Sequence, residues 1–592
     1  LPISSVAETA HNPAPPGARA LLLRGGDHLI VALIASYVVL TGLWPLASLL
    51  AEAFGPDEAG RTLGLIREAF DSRAARRALV NTLWASAGAA LVSVSLGTAL
   101  ALLLGLVRLP GRIALTFLAL SPLLIPSQIM ALAWIELFGS TSPILAPLGL
   151  APPPGVRNPL YSGGGIVWLM GIEHMPLVFL AVRAGLIAIP ADLVEAARIA
   201  GAGVPRILAR VILPLCLPQV LAGAILAFAA AVGNFGVPAL LGIPGRFTML
   251  TTLIYQRLNG FGPQVLGQVA VLALALIAMA GAALALRAVL IRRLAVPVGR
   301  GQSFAGFEAG RWQWPAGIAL WAALGLLTLA PIAALLATAL VPALGVRLSL
   351  GTLTLANFAD ALTDPTIRRA FGNSLALSMA AALISAAVAL PFAWFVAVRR
   401  HPLLRRLDLL ADAPFVVPGT VLALAMILVF LPPLPGLNIS IYGTATILLV
   451  AYLARFLPLV LRPLAGVAQA LEPALDEAAR IAGAGSARRI LRIFAPLAAP
   501  SAVAGGVLIA MTAFNELTLS ALLWSAGTET VGVMIFALQQ EGNSTGAAAV
   551  SVLSLMLVLV LALAADRIVR NRAPGALPWR LADVPPAQAV ST

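Results

Sequence analysis

Apolar residues run along this chain in long blocks, separated by short polar or basic connectors. Twelve blocks stand out, with soft edges: 28–53, 84–107, 114–137, 164–188, 212–232 and 265–286, then 316–341, 374–397, 407–431, 443–466, 496–514 and 546–566. Each approaches or exceeds the roughly 20 apolar residues that a helix needs to cross a bilayer. The blocks fall into two sets of six, so the pattern predicts an all-α integral membrane protein of about 12 transmembrane helices. The expected layout is a tail over 1–27, a first unit over 28–291, a linker over 292–315, a second unit over 316–566 and a tail over 567–592. The linker "RRLAVPVGRGQSFAGFEAGRWQWP" is polar and basic and ends on an interfacial pair, Trp312 and Trp314.

The two sets resemble each other in detail. "RRALVNTL" at 76–83 parallels "RRAFGNSL" at 368–375, and "PSQIMALAW" at 126–134 parallels "PGTVLALAM" at 418–426, both at an offset of 292. "EAARIAGAG" occurs identically at Glu195–Gly203 and Glu477–Gly485, at an offset of 282. The first unit therefore carries ten extra residues between 134 and 195, in the loop containing "APPPGVRNPL". Such self-similarity marks an internal duplication. Six spans per unit is an even number, so the copies enter the membrane in the same direction and form parallel, not inverted, repeats.

Composition agrees with the pattern: 60% of the 592 residues are apolar, 10% are charged, and mean hydropathy is +0.97. A net charge of +14 invites a nucleic-acid reading, but all 38 basic residues are Arg and they sit between spans, where they set topology. Nucleic acid is not expected as a partner; membrane lipid is. With the N-terminus inside, Arg19, Arg24, Arg108, Arg112, the "EAARIAGAG" regions and Arg399, Arg400, Arg405 and Arg406 fall on the inner side. The outer segment 54–80 is the exception. Its arginines alternate with Asp57, Glu58, Glu68 and Asp71, as in an amphipathic surface helix. No pair among His11, His28, His174 and His401 has metal-ligand spacing, so no metal site or cofactor is expected. The single Cys216 reads as a packing residue, and no nucleophile–base set stands out.

The repeated motif lies between the fourth and fifth spans of each unit. "IPADLVEAARIA" reads as a short helix, ended by a glycine able to adopt positive φ. A second helix follows, with Pro205 in its first turn in one copy and Ser486 as its N-cap in the other. One copy alone fits an ordinary loop. Two identical copies in register suit a partner that also comes twice.

This motif, with Pro-Leu downstream, resembles the EAA loop of binding-protein-dependent type I ABC importer permeases. The resemblance covers nearly the whole chain as two fused permease units. It implies that Glu195, Ala196, Ala197 and Gly201, and again Glu477, Ala478, Ala479 and Gly483, dock on two copies of an ATPase subunit. It further implies a periplasmic solute-binding protein and a bacterial inner-membrane location with both termini cytoplasmic. Without lysine the chain has no phosphate-binding Gly-Lys-Ser/Thr loop of its own, so it is not expected to hydrolyse ATP. The fused form, "NFGVPALLG" and "NELTLSALL" look most like ferric iron permeases; thiamine, 2-aminoethylphosphonate and polyamine permeases are close relatives. An ion-coupled secondary transporter is the alternative class.

Two charges fall well inside matched fourth spans, Glu173 and Arg455. A charge there costs roughly 2.5–3.5 kcal/mol on insertion scales unless it is paired or wetted. Direct pairing of the two, a place on a polar path and local satisfaction are the readings left open. Asn234 and Phe235, and Asn515 and Glu516, follow the fifth spans and are expected at the outer boundary, near a gate. Glu136 is expected near the outer edge, facing water.

Overall fold

The computed structural model describes residues 18–569, apart from 57–59, 62, 261–264, 295–303, 305, 308, 309, 435 and 437. Half of the expected linker, and the tails over 1–17 and 570–592, lie outside the described residues. Among the described residues, ten helices are long and apolar enough to cross a membrane, and two bent pairs raise the number to twelve if each pair is one span. The first unit contributes Asp27–Ala53, Arg73–Leu106, the pair Arg112–Leu124 and Ser127–Phe138, Gly163–Ile187, Val204–Val232 and Val265–Leu294. The second contributes Gly310–Ala339, Pro365–Ala397, the pair Pro402–Val416 and Gly419–Phe430, Ala445–Ala470, Ser486–Phe514 and Ser544–Ala564.

The third and ninth blocks are therefore not straight spans, as their hydropathy suggests. They bend by 106° and 109°. Pro126 and Pro418 cause the breaks: a residue before proline is driven out of the helical region, and Ile125 (φ −92, ψ 122) and Val417 (φ −68, ψ 136) are extended. Proline leaves a second signature. The wide π turns Val39–Leu43, Leu208–Ile212, Pro238–Gly242, Gly325–Leu329 and Ile490–Phe494 each end two residues before a proline. A widened turn relieves the clash between the ring and the preceding turn's carbonyl, keeping the span continuous. The first helix begins at Ala18, inside the stretch expected as a tail. Within the segment 54–80, the expected amphipathic helix is the short Gly64–Asp71, with exposed Arg61–Glu68 and Arg67–Asp71 ion pairs, and the next span begins at Arg73.

The first span of each unit packs on the opposite unit. Span 1 lies against the ninth and tenth spans, and the Tyr37 hydroxyl donates to the Leu453 carbonyl at 2.8 Å. Span 7 lies against Ser127–Phe138, where the Thr338 hydroxyl donates to Glu136 at 3.0 Å. Glu136 is thus buried in an inter-unit contact and does not face water. The exchange interlocks the units, and one apolar cluster draws on both, from Phe235 in the first to Phe514 and Phe536 in the second.

Candidate functional site

The two "EAARIAGAG" copies fold alike. Ala191–Ile199 and Pro473–Ile481 are short helices, ended by Gly201 and Gly483, both at φ +77. In each, the glycine N–H donates to the Arg198 or Arg480 carbonyl, and the next N–H donates to that of Ala197 or Ala479. This paired closure requires the left-handed residue that glycine supplies. Open space surrounds both glycines. The helix after the turn begins differently than expected in the second copy: Gly485 is the N-cap and Ser486 the first helical residue.

The exposed faces match as well. Glu195, Ala196, Glu477 and Ala478 are exposed, while Ala197 and Ala479 are half-buried. Ile199 is 89% exposed and Ile481 85%, joined by exposed Leu193 and Leu475 at equivalent positions. Each loop thus offers an exposed apolar ridge beside a glutamate.

The inner faces are built from different chemistry. In the first loop Val194 and Ile207 are buried in an apolar cluster. Their equivalents are Asp476 and Arg489, a buried ion pair at 2.6 Å with the guanidinium 4.9 Å from the Trp394 ring centroid. The first loop is further tied down by the linker. Phe304 donates to the Ile189 carbonyl, Phe307 bridges Val107, and Arg198 lies 5.5 and 5.1 Å from the two phenylalanine ring centroids.

The other expected residues gather between the units. Asn234 and Glu516 occupy equivalent places and do the same work. The Asn234 carboxamide oxygen accepts from the Val237 N–H at 3.2 Å, and the Glu516 carboxylate accepts from the Leu519 N–H at 2.8 and 2.9 Å. Each caps a turn that sends the chain back into the bundle. Both residues, with Phe235 and Asn515, are therefore buried and not at a water boundary.

Glu173 and Arg455 do not pair. Glu173 accepts hydrogen bonds from the Ser127 hydroxyl and, at 2.9 Å, from the Asn234 amide. Arg455 donates to the Val417 carbonyl at 3.2 Å and is attracted by Glu516 without closing to an ion pair. The repeat thus keeps one contact and changes its chemistry: the cap is Asn where the fourth span is acidic, and Glu where it is basic. The close approach beneath the caps is kept too. Gly236 sits against Ser127, and at the equivalent contact Thr518 sits against Gly419. The glycine has moved to the other partner.

Contacts between units seal the side away from the loops. The Gln128 amide donates to the Asn515 carbonyl at 2.8 Å, and Gly233, the equivalent of Asn515, abuts Pro418. Beside them Phe235 and Tyr255 of the first unit meet Phe536 of the second, with centroids 6.2 and 5.9 Å apart. Below this seal, toward the loops, lies a cavity of about 480 Å³. Its wall includes Ser127, Gln128, Phe415, Arg455, Asn515 and Glu516. Sequence reasoning named three of these. Ser127, Gln128 and Phe415 were missed, although for the first two the shared "P-x-x" breaks held the signal.

Comparison with known proteins agrees with this geometry. The family model described as binding-protein-dependent transport system inner membrane component matches twice, over residues 93–296 and 389–576. The chain is 29% identical over 531 residues to the probable ABC transporter permease protein y4fN of Sinorhizobium fredii, covering 86% of this chain and 90% of that protein. It is 29% identical over 223 residues to the putative 2-aminoethylphosphonate transport system permease protein PhnU of Salmonella typhimurium, covering 36% of this chain and 75% of that protein. It is 26% identical over 223 residues to the sulfate transport system permease protein CysT of Escherichia coli, covering 36% of this chain and 80% of that protein. With a family match in each half and a relative spanning most of its length, the chain belongs to the binding-protein-dependent ABC transporter permease family, as two permease units in one polypeptide.

Proposed function

We propose that this chain is the complete membrane path of an ATP-driven importer, with one ATPase copy seated on each "EAARIAGAG" loop. The observation that carries the reading is the pair of loops: equal in turn geometry and exposed ridge, yet anchored by unrelated contacts. A surface held constant while its support varies fits two copies of one partner. Glu195 and Glu477 flank the ridges, and Gly201 and Gly483 set their angle. The Arg bias between spans favours loops on the cytoplasmic side, with the N-terminal side of the first span and the C-terminal side of the last. A solute-binding protein would then deliver cargo at the sealed face.

In this reading ATP binding draws the ATPases together and moves the loops with them. The interlocked units rock, the contacts at Gln128–Asn515 and Phe235–Phe536 part, and the path faces the binding protein. Glu173, Asn234, Arg455, Asn515 and Glu516 line or brace that path, and Phe235 belongs to the gate. The chain itself performs no covalent chemistry.

For the cargo, residue resemblance favours ferric iron, which the binding protein would select. A second reading, 2-aminoethylphosphonate, is supported by the PhnU likeness and by the guanidinium on the cavity wall. Uptake of labelled ferric iron and of labelled 2-aminoethylphosphonate, in cells with and without the chain and its partner subunits, separates the two. Iron uptake that depends on the chain supports the first; chain-dependent phosphonate uptake with unchanged iron uptake replaces it with the second.

A further inference from the structure

We infer that Arg455 is the anchor of an oxyanion-binding site inside the permease cavity, one that takes the phosphonate, phosphate or carboxylate group of a small solute. The inference deepens the second cargo reading, an anionic solute in place of ferric iron, and rests on the importer reading. Arg455 lies in the middle of Ala445–Ala470, and the residues on both sides of it are buried, yet it is only half-buried itself. Because it lines the cavity between the units, that exposure is to the cavity.

Of the guanidinium's several N–H donors, one is engaged, by the Val417 carbonyl, and no ion pair is made among the described residues. Glu516, the carboxylate that attracts it, is already occupied. Its carboxylate accepts from the Leu519 and Ser520 N–H groups and from the Ser520 hydroxyl. A carboxylate held by a turn's amides cannot also swing across to satisfy the arginine. Asn515 shares the cavity wall and is 97% buried, its carboxamide oxygen accepting from the Ser554 hydroxyl. Around the guanidinium the wall combines Phe415, Phe456, Leu459 and Met511 with the polar Ser127, Gln128, Thr512 and Thr518. A planar, permanently charged fork in such surroundings suits two oxygens of one anion, which it can hold bidentately. The equivalent position in the first unit is Glu173, whose carboxylate is bound by Ser127 and Asn234, so the repeat does not duplicate the site.

The test uses the purified permease–ATPase complex, without binding protein or nucleotide, and measures equilibrium binding of three probes: inorganic phosphate, methylphosphonate and acetate. The expected result is saturable binding of at least one probe, weakened at least tenfold in Arg455→Gln, less in Arg455→Lys, and tightened in Glu516→Gln, which removes the opposing charge. Preference for acetate over the two phosphorus anions assigns a carboxylate solute, and the reverse assigns a phosphate or phosphonate. Absence of saturable binding by the native complex overturns the site, as does undiminished binding in Arg455→Gln. Should Arg455→Gln fail to assemble, the native complex and Glu516→Gln decide: no tightening overturns the proposal. ATPase stimulation by loaded binding protein is measured on the same preparation. If it persists while oxyanion binding is absent, only this site fails; if it is absent, the importer reading fails.

Discussion

Asp476 and Arg489 form a buried ion pair at 2.6 Å in the second loop, at the positions where the first loop packs Val194 and Ile207. The repeat has solved one packing problem twice, once with charge and once with hydrocarbon. Removing one partner of a buried pair strands the other, at about 3–5 kcal/mol, whereas exchanging both for apolar residues is often neutral or stabilising. Asp476→Ala and Arg489→Ala alone should therefore lower the melting temperature and transport. Asp476→Val with Arg489→Ile, which copies the first loop, should recover most of both. Thermal melting of the four proteins checks this; a double variant as unstable as the sum of the singles would refute it.

The turn glycines give a second prediction. At φ +77, with nothing within 4 Å of a built Cβ, substitution meets backbone strain and no clash. A left-handed non-glycine residue costs about 1–2 kcal/mol, and more for a β-branched one. Gly201→Asn and Gly483→Asn should be tolerated, because asparagine accepts this region. Valine at either place should reduce transport several-fold while insertion stays normal. Parallel uptake and membrane-yield measurements distinguish the two effects.

Glu173 and Arg455 each have partners in their own unit, so they should behave independently. In a double-mutant cycle with Glu173→Gln and Arg455→Gln, effects on melting temperature and transport should add within about 0.5 kcal/mol, the usual tolerance for uncoupled sites. A larger coupling would mean the two charges meet during the transport cycle.

The seal away from the loops offers a fourth. Phe235 and Phe536 come from different units with ring centroids 6.2 Å apart. Cysteines at both positions, in a background lacking Cys216, should join through a short bis-methanethiosulfonate, which forms a disulfide with each thiol and releases sulfinate, and stop transport. Reduction should restore it. Full transport with the link in place would show that this contact does not open.

Much of this was legible in the sequence, for physical reasons. The duplicated motif gave the two loops because a positive-φ glycine after a short amphipathic helix leaves a strong local signal. Hydropathy gave the spans but read straight through Pro126 and Pro418, since averaging over a window cannot see a single bend. The exchange of first spans left no trace, because an apolar face does not name its partner. Asn234 and Glu516 were seen as polar groups after a span and placed at water. Their caps at Val237 and Leu519 turn the chain inward instead. The suggestion that Glu173 and Arg455 pair used symmetry correctly but ignored nearer donors and acceptors: Ser127, Asn234 and the Val417 carbonyl exposed by the break.

The most direct test of the account is ATP hydrolysis and solute uptake by the reconstituted complex of chain, ATPase and binding protein, compared with Gly201→Val/Gly483→Val. The account predicts that loaded binding protein stimulates hydrolysis and uptake in the native complex. In the double variant the ATPase should be lost from the complex or the stimulation should disappear. A double variant that retains the ATPase and transports at the native rate would contradict the assignment of these loops as the coupling surface.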